Sequence, residues 1–190
     1  MSRIGKKPIA LPKEVSVNID GRAFWIKGPK GEITHTIPDG IEFAIENGTL
    51  NFTCVRQDKF TRSLYGTTRA IVQNHVTGVT QGFAKDMEVH GQGYKAALKG
   101  TAVELFVGFS HPVYVEFDKS KVSVEVRQIS NKLAAIRISG IDRQCVGDCA
   151  DRIRRVKPPE SYRAKGGQDE NKGIRYKGEK VRVKAGKSGK

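Results

Sequence analysis

Apolar and polar positions alternate with a period of two from Val15 to Ile26, with Val15, Val17 and Ile19 followed by Phe24 and Ile26. Asp20-Gly21 and Gly28-Pro29 interrupt the alternation, so the stretch predicts antiparallel hairpins. "IEFAIENGTLNFTCV" predicts two short strands around Asn47-Gly48, a strong hairpin turn. The period then changes. Phe60, Leu64, Ile71, Val72 and His75 fall on one helical stripe, and Asp58 stands where an N-cap is needed.

The order then repeats. "KAALKGTAVELFVGFSHPVYVEF" predicts strands that turn at Lys99-Gly100 and at a Gly108 to Pro112 corner. "KVSVEVRQISNKLAAIRISG" adds two strands around Ser130-Asn131. "IDRQCVGDCADRIRRVKPP" closes the half with a helix whose inward face is Val146, Cys149, Ala150 and Ile153. Pro158 stops this helix, because a residue before proline is pushed out of helical geometry. The two helices lie about eighty residues apart, as do Gly28 and Gly108. The pattern predicts an α+β protein of two tandem, duplicated domains, each a small antiparallel sheet packed against one helix. The expected divisions are 1–82, 83–157 and a basic C-terminal extension, 158–190.

Charge changes the picture most at the end of the chain. The protein carries a net +14, and residues 172–190 hold eight Lys or Arg against one Glu. Half the net charge therefore sits in a tenth of the length. The apolar residues there are few, so the stretch is expected to have no fold of its own and to be ordered by a polyanion. Nucleic acid is the favoured partner, since Lys and Arg displace counterions from phosphates without needing a pocket. A free nucleic-acid chaperone with a basic tail is the alternative of the same chemistry. A membrane partner is disfavoured: there is no apolar run, no lipidation site and no amphipathic basic stripe.

Little suggests catalysis. Cys54, Cys145 and Cys149 form no paired framework, which fits a reducing compartment. Cys145 and Cys149 share a helix face with Ile153 and lack the further ligands that zinc requires, so both are expected to be small core residues. The four histidines are scattered, with His75 on a helix face and His111 in a turn. Gly91, Gly93 and Ala96 in "GQGYKA" match the dinucleotide fingerprint, the one feature that would support a nucleotide-using enzyme. The Gly100 turn leaves no room for the helix that would hold pyrophosphate, so a glycine-permitted strand bend is expected instead. No cofactor, metal or small-molecule substrate is expected.

Six stretches in order — "MSRIGKKPI", "KGPKGE", "LYGTTRAIVQNHVTGVTQGF", "GQGYKA", "VGFSHPV" and "GIRYKGE" — resemble the bacterial form of the sixth large-subunit ribosomal protein family. The resemblance spans nearly the whole chain. It implies a duplicated α+β fold and a structural, non-catalytic place on the large subunit of a cytoplasmic or organellar ribosome. It also implies binding to the 3′ region of 23S rRNA, near the sarcin–ricin loop, the stalk-base proteins and the docking region of translational GTPases. Carried over by residue, it places Tyr162, Arg163, Lys165, Gly173, Arg175, Tyr176 and Lys177 at the RNA, with Gly91, Gly93, Tyr94 and Lys95 near it. Lys157, Lys172, Lys180, Arg182, Lys184 and Lys187 complete the candidate set of cations.

The chain departs from the family pattern at Ser161, Arg163 and Ala164, and in an extra stretch from about Gly167 to Lys172. That stretch contains Asp169 and Glu170, which phosphate would repel, so it is expected to loop away from RNA. Val183 stands where the family commonly has a second arginine.

Overall fold

A computed structural model describes residues 2–46, 48–56, 58–162, 171–182 and 184. The chain divides into two compact units, Met1–Phe83 with Ile141–Arg143, and Ala84–Gly140 with Gln144–Lys190.

In the first unit the strands are β1 (Ile9–Ala10), β2 (Ser16–Asp20), β3 (Ala23–Gly28), β4 (Gly31–Thr36), β5 (Ile41–Glu46) and β6 (Thr49–Cys54), followed by helix α1 (Lys59–Thr80). They form two small antiparallel sheets, ordered β2-β3-β4 and β1-β6-β5. The hairpin signals fall where the strands turn: Asp20 opposes Ala23, and Gly28 opposes Gly31. Alternation then does its work. Phe24 and Ile26 on β3 and Leu50 and Phe52 on β6 face inward, and they bury with Ile9, Ile37, Ile41, Val72, Val76 and Val79.

The inward stripe of α1 differs from the one expected. Thr61, Tyr65, Thr68, Val72, Val76 and Val79 are buried, while Phe60 is 72% exposed. The stripe begins one residue later than the apolar pattern suggests, because two threonines occupy inner positions. The Thr61 hydroxyl donates to Asp58 at 3.2 Å, and the Tyr65 hydroxyl donates to the Phe52 carbonyl at 2.9 Å, so these polar groups are satisfied inside. Asp58 is the N-cap residue, but its side chain bonds Thr61 and makes no cap bond to the backbone. His75 meets His35 of β4, ring centroids 5.4 Å apart. Burial lowers the pKa of both; His35 lowers that of His75 further, and Asp142 opposes this.

The second unit repeats the plan. Its strands are β7 (Phe83–His90), β8 (Lys95–Lys99), β9 (Ala102–Phe106), β10 (Val113–Glu116), β11 (Val122–Ser130) and β12 (Leu133–Gly140), followed by α2 (Arg143–Val156) and a last strand, β13 (Gly173–Tyr176). The sheets are β10-β9-β8 and β11-β12-β7-β13. On α2, Val146, Cys149, Ala150 and Ile153 are all buried, as the helical period requires. Burial raises the Cys149 pKa. Cys145 is only half-buried, so it is not the core residue expected: it stands one residue before Val146, at the margin of the buried stripe.

β13 is the main departure from the sequence reading. Gly173, Ile174, Arg175 and Tyr176 pair antiparallel with His90, Val89, Glu88 and Met87. Ile174 is fully buried, so part of the basic stretch belongs to the core of the second unit. Among the described residues, no helix is long and apolar enough to cross a membrane.

Candidate nucleic-acid interface

The basic stretch is built onto the second unit from its backbone upward. The Glu160 amide donates to the Lys172 carbonyl at 2.9 Å, and the Ile174 amide donates to the Lys157 carbonyl at 2.8 Å. Gly173 makes this approach possible. A Cβ on it would lie 2.5 Å from Pro159 Cα and 2.7 Å from the Pro158 carbonyl oxygen, and its φ of +132° is one that side-chain-bearing residues rarely adopt. Further on, the Lys177 amide donates to the Asp86 carbonyl at 2.9 Å, and the Lys184 amide donates to the Ser161 carbonyl at 2.7 Å. Tyr162 and Lys184 form an isolated parallel bridge.

Three acidic side chains in this region, Glu88, Glu179 and Asp151, are neutralised by partners inside the protein, while Glu160 is exposed. Glu179 takes two bonds from the Arg154 guanidinium, at 2.5 and 3.3 Å, and one from the Tyr176 amide at 3.1 Å. The Arg154 bonds hold the Glu179 carboxyl below its ordinary pKa, against the opposing effect of burial. The same pair raises Arg154. Glu88 Oε2 lies 3.0 Å from His90 Nε2 on the same strand, β7, and 3.5 Å from Arg175 Nε across the pairing with β13. Burial pushes the Glu88 carboxyl up, but His90 and Arg175 together bring it below its usual value. On the preceding helix, Asp151 pairs with Arg155 at 2.7 Å.

The candidate residues therefore divide by what they touch. Lys95, Lys172, Lys177, Lys180, Arg182 and Lys184 are exposed. Among the described residues none of these six carries a salt bridge, and their charges face solvent. Tyr162 is exposed as well. Lys157 is half-buried, its Nζ 5.4 Å from the ring centre of the exposed Phe109. Arg175 and Tyr176 are engaged within the protein. Arg175 is on Glu88, and the half-buried Tyr176 ring has Lys85 Nζ and the Arg154 guanidinium 5.7 and 5.8 Å from its centre. Tyr94 is buried. Arg163, Lys165 and Lys187 lie outside the described residues, as do Asp169, Glu170 and Val183.

"GQGYKA" has the geometry of a turn between strands. β7 ends at His90, Gly93 has φ +76°, and Lys95–Lys99 runs as β8 against β9. The helix that a dinucleotide site needs is replaced by a strand. Among the described residues, no group of three or more His, Cys, Asp or Glu is arranged to hold a metal ion.

A protein-family model, ribosomal protein L6, matches residues 11–82 and 90–170, one stretch to each half of the chain. This chain belongs to the ribosomal protein L6 family. The large ribosomal subunit protein uL6 of Leuconostoc mesenteroides is 46% identical over 190 residues, with 100% of both chains covered. Those of Gloeobacter violaceus and Staphylococcus carnosus are 43% and 42% identical, again over 100% of both chains. The duplicated α+β architecture is thus shared by family membership and by element order. Arg154 and Glu179, which clasp the basic stretch, escaped the sequence reading; the one signal was Glu179 itself, the single acid among the last nineteen residues.

Proposed function

We propose that this L6-family chain is a structural constituent of the large ribosomal subunit, binding 23S rRNA through the second unit and its basic C-terminal stretch. The observation that carries the reading is the sorting of charge around β13. Glu88 and Glu179 are satisfied by Arg175 and Arg154, while Lys172, Lys177, Lys180, Arg182 and Lys184 project into solvent from a backbone held by hydrogen bonds. A surface on which Glu88 and Glu179 are paired internally and five cations are left free suits phosphate, and an ordered backbone lowers the entropy cost of binding. Lys95, Lys157 and the exposed Tyr162 extend the surface. Arg163 and Lys165 are assigned to it by resemblance to the family, and Lys187 by its charge within the basic stretch.

The same resemblance supports the finer placement: the 3′ region of 23S rRNA near the sarcin–ricin loop and stalk base, beside the region where translational GTPases dock. The protein acts there as a strut and performs no chemistry. Its location is the cytoplasm, within the large subunit. In this reading the chain works as an N-terminal domain over 1–82, a second domain over 83–157 and a basic extension over 158–190.

Binding of full-length protein to the 3′ domain of 23S rRNA, measured across salt concentrations, tests this. Neutralising Lys177, Lys180, Arg182 and Lys184 together to Gln removes four phosphate contacts. The slope of log affinity against log salt should flatten by about 3, at roughly 0.7 to 0.9 per contact. An unchanged slope moves the interface elsewhere. Sedimentation separates the strut from a free chaperone, since a subunit constituent travels with large subunits in moderate salt.

A further inference from the structure

A second cationic surface lies wholly within the first unit. Residues Ser2–Pro8 form a tight turn, with the Lys6 amide donating to the Ser2 carbonyl at 3.4 Å and the Lys7 amide to the Ile4 carbonyl at 3.2 Å. The turn is seated on α1. A Cβ on Gly5 would run into the Tyr65 ring, and one on Gly66 would lie 2.9 Å from the Ser2 hydroxyl oxygen. Arg69 reaches the chain from the same helix face, its Nε donating to the Lys7 carbonyl at 3.1 Å and its guanidinium to the Pro8 carbonyl at 3.2 Å. Gln73, one turn further, holds that guanidinium at 3.3 Å. Beyond the turn, Ile9 is fully buried and pairs with Leu50.

What the turn presents is positive. Arg3, Lys6 and Lys7 are exposed, and so is Arg62, which shares a helix face with Gly66 and Arg69 at spacings of four and seven. Among the described residues none of these four cations is ion-paired, and residues 2–13 contain no acid. Asp58, one turn before Arg62, accepts from the Thr61 hydroxyl. Solubility alone would not need this turn to be held. Here an arginine and two close glycine contacts fix a segment whose outward side chains are three cations, the 57% exposed Ile4 and Pro8.

We propose that Arg3, Lys6, Lys7 and Arg62 form a second RNA-phosphate contact, on the first unit and independent of the basic C-terminal stretch. Arg69 is its positioning residue: it orders the turn by binding two carbonyls and leaves phosphate to the exposed cations. A flexible segment of the same charge would bind more weakly, because ordering it would oppose binding.

The test uses the full chain carrying Arg3→Gln, Lys6→Gln and Lys7→Gln together, titrated with 23S rRNA at several salt concentrations beside the four-fold C-terminal variant. The expected result is a slope flattened by about 2 to 3, a midpoint of thermal unfolding like that of the parent, and additivity with the C-terminal substitutions. Arg69→Ala keeps all four cations but releases the turn. It should weaken binding about tenfold at every salt concentration with the slope retained. An unchanged slope in the triple variant overturns the proposal, whatever the C-terminal variant does. A parallel titration with phosphatidylglycerol vesicles covers the other polyanion: if the triple variant loses vesicle binding alone, the surface is a lipid contact and the RNA assignment is wrong. Parent-like affinity for Arg69→Ala would overturn its positioning role.

Discussion

Ile174→Ala is the sharpest probe of how the basic stretch is held. Ile174 is fully buried in a four-residue strand, opposite Val89 of β7, which is also fully buried. The substitution removes three carbons, a transfer loss of roughly 2.4 kcal/mol at about 0.8 kcal/mol each. Incomplete collapse around the cavity brings the expected total to about 3–4 kcal/mol. The strand has few other apolar anchors, so much of the loss should appear as local release of β13. In that case the amides of Ile174 and Lys177, bonded to Lys157 and Asp86, should exchange with solvent about a hundredfold faster. Urea unfolding of the full chain should meanwhile show a lower midpoint. Hydrogen exchange read residue by residue, together with urea titration, distinguishes local from global loss. A cost under about 1 kcal/mol with unchanged exchange would mean that β13 is not part of the core and does not hold the basic stretch to the second unit.

Gly173→Val should prevent β13 from seating, since the new side chain meets Pro158 and Pro159 and must adopt φ +132°; loss of protection at the Ile174 amide checks it. Gly93→Val meets no neighbour within 4 Å but takes φ +76°, so a backbone-strain cost of about 1–3 kcal/mol, measured by thermal unfolding, is expected. Glu88 and Glu179 are both held below the ordinary value of 4.5, so their stabilising contribution is complete above that pH and is lost as pH falls through their lowered folded pKa values. Glu179→Gln should therefore lower stability at pH 7 and flatten its decline below pH 4.5, checked by urea titrations across pH. His35 and His75 are lowered from 6.5, so acidification below that value favours the unfolded chain; His75→Gln should reduce the stability lost between neutral pH and about 5.

The hairpins were legible because Gly and Asn dipeptides mark turns locally, and the inner face of α2 because Val146, Cys149, Ala150 and Ile153 carry a clean helical period. α1 was harder. Thr61 and Thr68 sit inside and Phe60 outside, so apolarity and burial part company there, with the Thr61 hydroxyl satisfied by Asp58. β13 left almost no trace. Four residues are too few to show a period, and its partner β7 lies more than eighty residues earlier. Each unit also divides its strands between two sheets, a matter of long-range pairing that local alternation does not encode. At the candidate interface, the lysines could be read from charge alone. The engagement of Arg175 by Glu88, and of Tyr176 by Lys85 and Arg154, could not, because each depends on a residue distant in sequence.

Crosslinking the full-length protein to RNA in living cells, with crosslinked residue and nucleotide both mapped, shows which side chains meet rRNA. A basic surface anchored on β13 predicts crosslinks from Lys172, Lys177, Lys180, Arg182 and Lys184 to the 3′ region of 23S rRNA, with Lys95 and Tyr162 joining them and Arg175 and Tyr176 largely silent. Crosslinks spread over unrelated RNAs, or arising mainly from Arg175 and Tyr176 while those lysines stay unlabelled, would contradict it.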